Sequence, residues 1–173
     1  MKIIIFISII KMKNYIYFII LIFIIFYIYC YYVFDNNFII QQVNIEDFNF
    51  NLLYNKQPLV IYDKIVDKSK ILSSWFKQNI LSNNNVVYDK WNINNNKYLF
   101  IYAKQDSNIL IDKPNINIQI PDNNNKIVSI KLYEYQCIIL PFKCKYYIEK
   151  NNDIEIIGIH DYITYFLETL FFF

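Results

Sequence analysis

Between Tyr15 and Phe34 the chain runs YIYFIILIFIIFYIYCYYVF, an apolar stretch without a single charged side chain. A helix needs about 20 such residues to cross the hydrocarbon core of a bilayer, so the stretch predicts one transmembrane helix. Tyr15 and Tyr17 at one end, and Tyr27, Tyr29, Tyr31 and Tyr32 at the other, fall where amphipathic rings favour the headgroup region. Lys2, Lys11 and Lys13 precede the stretch, whereas Asp35, Glu46 and Asp47 follow it. By the positive-inside bias the N-terminus is then cytoplasmic and the remainder lies across a host or viral membrane. The downstream flank is bulky and aromatic, with no small-residue cleavage pattern, so the stretch predicts a signal-anchor and not a removable leader. The expected organisation is a cytoplasmic stub and transmembrane helix at 1–34, a juxtamembrane linker at 35–42 and a domain at 43–173.

Beyond the linker the apolar period changes. Leu59, Val60, Ile61 and Tyr62 follow Pro58 as a short run with β-branched members, which predicts a buried strand. Asp67 or Ser69 then caps one amphipathic helix carrying Ile71, Leu72, Trp75, Phe76 and Ile80 on a face and ending at the Asn83-Asn84-Asn85 turn. Short strands follow at 86–88, 98–102, 109–111, 116–120, 127–132, 137–140 and 146–148, with a long final run from Ile154 to about Leu167. Asn and Pro clusters punctuate them. The pattern predicts a mainly β fold, a sandwich or barrel in which no strand buries its face alone.

Composition changes this picture only in part. The chain has 17 Tyr and 15 Phe but one Gly, and every basic residue is Lys. A formal charge of +2 with scattered lysines gives no electrostatic footprint for nucleic acid, and without Arg the bidentate fork for phosphate or guanine is missing. A lone glycine, Gly158, rules out glycine-rich phosphate cradles, and no G-x-S-x-G elbow occurs. Cys137 and Cys144 are close enough in sequence either to pair in an oxidising compartment or to stay as two buried thiols; no zinc-ligand spacing is present.

Few residues carry candidate chemistry. His160-Asp161 is the one place for a general base with an orienting carboxylate, but neighbours on a strand point to opposite faces, so His160 is a weak candidate. Glu134, Glu149 and Glu155 read as solvated strand positions, and Asp106, Asn108 and Asp112 lack the glycine that a calcium loop requires. Lys143, Lys145, Tyr146, Tyr147 and Lys150 form a basic cluster interleaved with aromatics. It suits an anionic headgroup or polyanion if it is one surface, and an ordinary alternating strand if it is not.

The segment from Glu134 to Glu149, EYQCIILPFKCKYYIE, resembles the second conserved motif of the cupin superfamily, with Pro141 in place of the motif proline. Gln57 to Ile61 resembles the entry strand of the JmjC-like branch, so the resemblance covers roughly residues 43 to 167. It implies a cupin-like jelly-roll or double-stranded β-helix on a single-pass anchor, similar to small membrane proteins of large DNA viruses. The motif's glycines fall on Tyr135 and Lys143, and its metal-binding histidine falls on Tyr146. Active members bind iron through two histidines and a carboxylate, which a chain with one histidine cannot supply. The expectation is a non-catalytic binding or structural module with no cofactor and no metal. Its expected partners are the bilayer through Tyr15–Phe34 and a protein or second copy, not nucleic acid. The alternatives are a metal-dependent cupin-type enzyme with an atypical site and a polyanion binder through Lys143–Lys150.

Overall fold

A computed structural model describes residues 15–26, 38–49, 51–84, 87–112 and 127–165. The chain divides into two compact units, 1–34 and 35–173.

In the first unit the described residues form helix α1 at 15–26. At a rise of about 1.5 Å per residue these twelve described residues span about 18 Å, against the roughly 30 Å of the hydrocarbon core. Among the described residues no helix is long and apolar enough to cross a membrane. This corrects the expected transmembrane helix at Tyr15–Phe34, and with it the signal-anchor, the single-pass topology and the membrane localisation. Apolar composition and helix length are different quantities. The last part of the predicted span, 27–34, lies outside the described residues.

The second unit is mainly β, in two sheets. Strands β1 (Gln41–Val43), β2 (Leu59–Ile61), β3 (Ile80–Asn83), β4 (Trp91–Ile93) and β5 (Tyr98–Ala103) are followed by β6 (Ser107–Asp112), β7 (Val128–Leu132), β8 (Cys137–Pro141), β9 (Lys145–Ile148) and β10 (Ile154–His160). The six-stranded sheet has the order β1-β2-β8-β5-β10-β3 and the four-stranded sheet β4-β9-β6-β7. Within this arrangement lies a nested pattern: β6 pairs with β7, β5 with β8, β4 with β9 and β3 with β10, all antiparallel. Successive pairs alternate between the sheets, as though one long hairpin had been rolled so that its rungs fall on two facing layers.

Strand parity explains the packing. Side chains alternate across a sheet, and on the central strands of the large sheet both sets are apolar. Val60, Leu99, Ile101, Ile138, Leu140 and Ile156 face the small sheet and meet Ile109, Ile111, Leu132, Cys144, Tyr146 and Ile148. Their neighbours Leu59, Ile61, Phe100, Cys137, Ile139, Ile157 and Ile159 form a second buried layer with Leu53, Ile71 and Phe76. Two helices supply that cover, α2 (Asn51–Tyr54) and α3 (Lys68–Trp75). Each buried aliphatic or aromatic side chain contributes about 1.5–3 kcal/mol.

Helix α3 starts where expected, because the Asp67 carboxylate accepts from the Lys70 amide. It ends earlier than the apolar spacing predicts. Ser73 and Ser74 return hydrogen bonds to the Lys70 carbonyl, and Ile80, expected on the helix, pairs with His160 as the start of β3. Ladder pairing with β10 outweighs a helical period that only one more turn would satisfy. Four other expectations change. The strand expected at 86–88 is absent at its described residues, where Val87 and Tyr88 lead into a turn, and residue 86 lies outside the described residues. Gln41–Val43, at the end of the expected linker, is a strand parallel to β2. Trp91–Ile93, expected to lead into a turn, pairs with β9. The final run stops being strand at His160 and becomes a helical turn at 162–165, where Asp161 and Thr164 cap one another. The expected strand at 116–120 and the tail 166–173 lie outside the described residues.

Gly158 sits in β10 opposite Ser82. A Cβ there would lie 2.4 Å from Asn96 Oδ1 and 2.6 Å from Ser82 Oγ, and Asn96 cannot swing away because its amide donates to Asn94 at 3.0 Å. Gly158→Ala is therefore expected to cost about 1–3 kcal/mol through overpacking, measured as a lower urea midpoint with an unchanged slope.

Candidate functional site

The expected basic cluster is divided by the two faces of β9. In β9, Lys145 and Tyr147 point outward from the small sheet, where Tyr147 packs against Trp91 with ring centroids 5.8 Å apart. Tyr146 points inward and is buried among aliphatic side chains. Lys143 lies in the turn before β9 with a left-handed φ of 59°, its ammonium 3.0 Å from Asn95 Oδ1 and 4.9 Å from the Phe142 ring centroid. Burial pulls its pKa below the usual lysine value. Lys150 is in the turn beyond β9, its amide donating to Asp89. Alternation along the strand, together with a tight turn at each end, separates residues that the sequence sets side by side.

His160 ends β10 in a buried position. Its Nε2 lies 3.3 Å from Ser82 Oγ, its carbonyl accepts from Asn79 Nδ2, and its ring meets the edge of Tyr165. Asp161 turns to Lys97, with Nζ 2.7 Å from Oδ2, and caps Thr164 through Oδ1. Cys137 and Cys144 are free thiols buried in different layers, one on the outer face of the large sheet and one between the sheets. Burial raises both thiol pKa values, so neither is a ready thiolate. Glu155 is held by Lys68 at 2.6 Å, and Asp106 faces Lys131 at 3.5 Å. Among the described residues no group of three or more His, Cys, Asp and Glu side chains is placed to hold a metal ion.

Two places gather polar groups. The first is a buried amide cluster following β4. Asn94 Nδ2 donates to the Leu140 and Pro141 carbonyls, and Asn94 Oδ1 accepts from both the amide and the side chain of Asn96. The Asn94 amide and carbonyl bond to Cys144 and Lys143. These groups satisfy one another, which is the condition for burying amides without a large desolvation penalty. The cluster fastens the β8–β9 turn to the segment between β4 and β5.

The second place is a cleft of about 990 Å³ on the outer side of the large sheet. Leu53 and Tyr54 of α2, Ser74 and Trp75 of α3, the turn Phe76–Asn79, Lys97 and Tyr98 at the start of β5, and Asp161 and Tyr162 after β10 line it. Trp75 is fixed by stacking on Phe48 at 3.4 Å, and Phe76 packs against Tyr98 at 6.2 Å. The Lys97 ammonium lies 5.9 Å from the Tyr98 ring centroid. Burial above all, then the nearby Tyr54 and Asp161, push the Tyr98 pKa up to about 12, so its hydroxyl is a donor at neutral pH. Sequence inspection misses this site because its walls come from four separate segments with no motif. The one available signal was the run of aromatics immediately beside loop-forming residues, at Tyr54, Trp75, Tyr98 and Tyr162.

No family model, curated protein or solved structure matches this chain.

Tyr98 and Tyr146 are both raised from about 10 to about 12, Tyr146 by burial first and Cys144 second. A folded-state pKa above the unfolded one means that the folded chain holds the proton more tightly. The stabilisation is complete below pH 10 and is lost as pH climbs through 12. Thermal midpoints are expected to fall across that window, and to fall less steeply in Tyr146→Phe, as followed by far-ultraviolet circular dichroism.

Proposed function

We propose that the β unit is a degenerate cupin-like double-stranded β-helix that acts as a non-catalytic binding module. Three observations support the kinship. The nested pairing of β3 to β10 distributes eight strands over two sheets as a rolled hairpin does. Pro141 ends β8 at the turn into β9, the place of the motif proline. The two positions that align with the motif's glycines, Tyr135 and Lys143, both carry left-handed φ angles, 66° and 59°. A backbone conformation favoured by glycine persists there although the glycines themselves are gone.

The non-catalytic part of the proposal rests on one observation: Tyr146, aligned with the motif's metal-binding histidine, is packed into a closed aliphatic layer between the sheets. The space where a catalytic ion would need ligands and solvent access is occupied by Leu140, Ile148, Cys144 and their neighbours. The buried amides Asn94 and Asn96 spend their hydrogen bonds on each other and on the backbone. With the interior filled, binding falls to the outside of the fold, where the aromatic cleft is a sizeable concave feature with convergent polar groups. The polyanion reading has no comparable support, because Tyr146 faces inward and Lys143 is engaged with Asn95.

Elemental analysis of the full chain, purified without chelators, is expected to find iron, manganese and zinc far below one equivalent. Stoichiometric iron or manganese would overturn the non-catalytic assignment. Tyr135→Gly is expected to raise the urea midpoint by relieving the left-handed strain; a lowered midpoint would count against the inherited-turn argument.

A further inference from the structure

The geometry points to a ligand class for the outer cleft: a neutral, hydroxyl-rich saccharide of two to three rings. This inference rests on the binding-module reading and deepens it. Size sets the first limit, because about 990 Å³ is at the upper end of small-ligand sites and exceeds what a single sugar ring fills. Wall chemistry sets the second. Tyr54 and Tyr162 are each 73% exposed, so each can offer a ring face to the C–H face of a sugar while its hydroxyl remains free for the ligand's polar rim.

Charge sets the third limit. Lys97 and Asp161 form a pair with Nζ and Oδ2 2.7 Å apart, and each side chain is about three-quarters buried (25% and 23% exposed). An anionic ligand would have to draw Lys97 from its carboxylate, and a cationic one would have to draw Asp161 from its ammonium. Breaking a partly buried pair leaves one charge uncompensated. Hydroxyl groups make no such demand, since each can donate to Asp161 and accept from Lys97 at once. Two adjacent hydroxyls on one ring can address the two ends of this pair, each at hydrogen-bond distance. The protonated Tyr98 hydroxyl and the Gln78 side chain extend the donor and acceptor set along the cleft. Aromatic faces with a charge-neutral, paired polar edge fit a sugar better than a phosphate ester or a fatty acid.

The test uses the full chain and five probes: maltotriose, cellotriose, chitotriose, adenosine monophosphate and dodecanoate, each titrated by ligand-observed NMR and isothermal calorimetry. The expected result is saturable binding of at least one trisaccharide, weakened tenfold or more in Tyr54→Ala and in Lys97→Met. Tyr147→Ala, on the outer face of the small sheet, is expected to leave affinity unchanged. Tyr54 is exposed at 73%, so its truncation reports on the cleft even if Lys97→Met perturbs the Asp161 turn. The proposal is overturned if no trisaccharide binds at millimolar concentration, if only adenosine monophosphate or dodecanoate binds, or if Tyr54→Ala binds as well as the unaltered chain. Product analysis of the bound trisaccharide separates the two readings. Binding with cleavage would uphold the saccharide site and end the non-catalytic assignment; a metal-free chain that binds no sugar would do the reverse.

Discussion

Two-sided burial of the large sheet is the constraint on which the rest of the structure depends. A sheet with one wet face alternates apolar and polar residues, but β8 has all five residues buried and β10 all but one. Each of these strands must satisfy two different partners, the small sheet on one side and the α2–α3 layer on the other. That requirement explains the Ile138-Ile139-Leu140 run of β8 and the four isoleucines of β10. It also explains why α3, only eight residues long, is held in place: Ile71 and Phe76 belong to the layer the sheet needs covered. The outer cleft is a by-product of the same cover, which stops short of the end of the sheet where Tyr98 and Asp161 emerge.

Much of the β unit was legible because burial leaves a periodic trace. The apolar runs at 59–61, 98–102, 109–111, 128–132 and 137–140 all lie in strands, and the Asp67 cap marks the start of α3 within a residue. What was not legible follows a physical pattern. Trp91–Ile93 and Gln41–Val43 are three-residue edge strands with half-exposed side chains, so their pairing is set by the neighbours β9 and β2 and not by their own composition. Ile80 carries a helical spacing and a strand partner at once, and long-range pairing decided between them. The expected anchor is corrected on another ground: among the described residues no helix reaches the length and apolarity that a crossing needs.

The candidate site was less legible still. Lys143, Lys145, Tyr146, Tyr147 and Lys150 are close in sequence and split between the two faces of β9 and its flanking turns, whereas Tyr54, Trp75, Lys97 and Asp161 are dispersed in sequence and line one cleft. Contiguity favours the eye, but a β fold builds its concave surfaces from strand ends and crossing connections. Only the inward position of Tyr146 could have been anticipated, from the alternation of β9 alone.

The nested pairing also shapes how such a chain can reach its folded form. Partners in β3 and β10 are separated by more than 70 positions in register, a distance that ordinarily makes closure slow. Each inner pair, once formed, shortens the free chain that the next must bring together, since the entropic cost of closure grows with the length still unconstrained. The hairpin of β6 and β7 is thus the natural point of nucleation, and assembly runs outward from it like a zip. The outermost rung, where β10 carries Gly158 and His160, has the longest separation of the nested pairs to close, and the cleft walls contributed by Asp161 and Tyr162 follow directly after it in the chain.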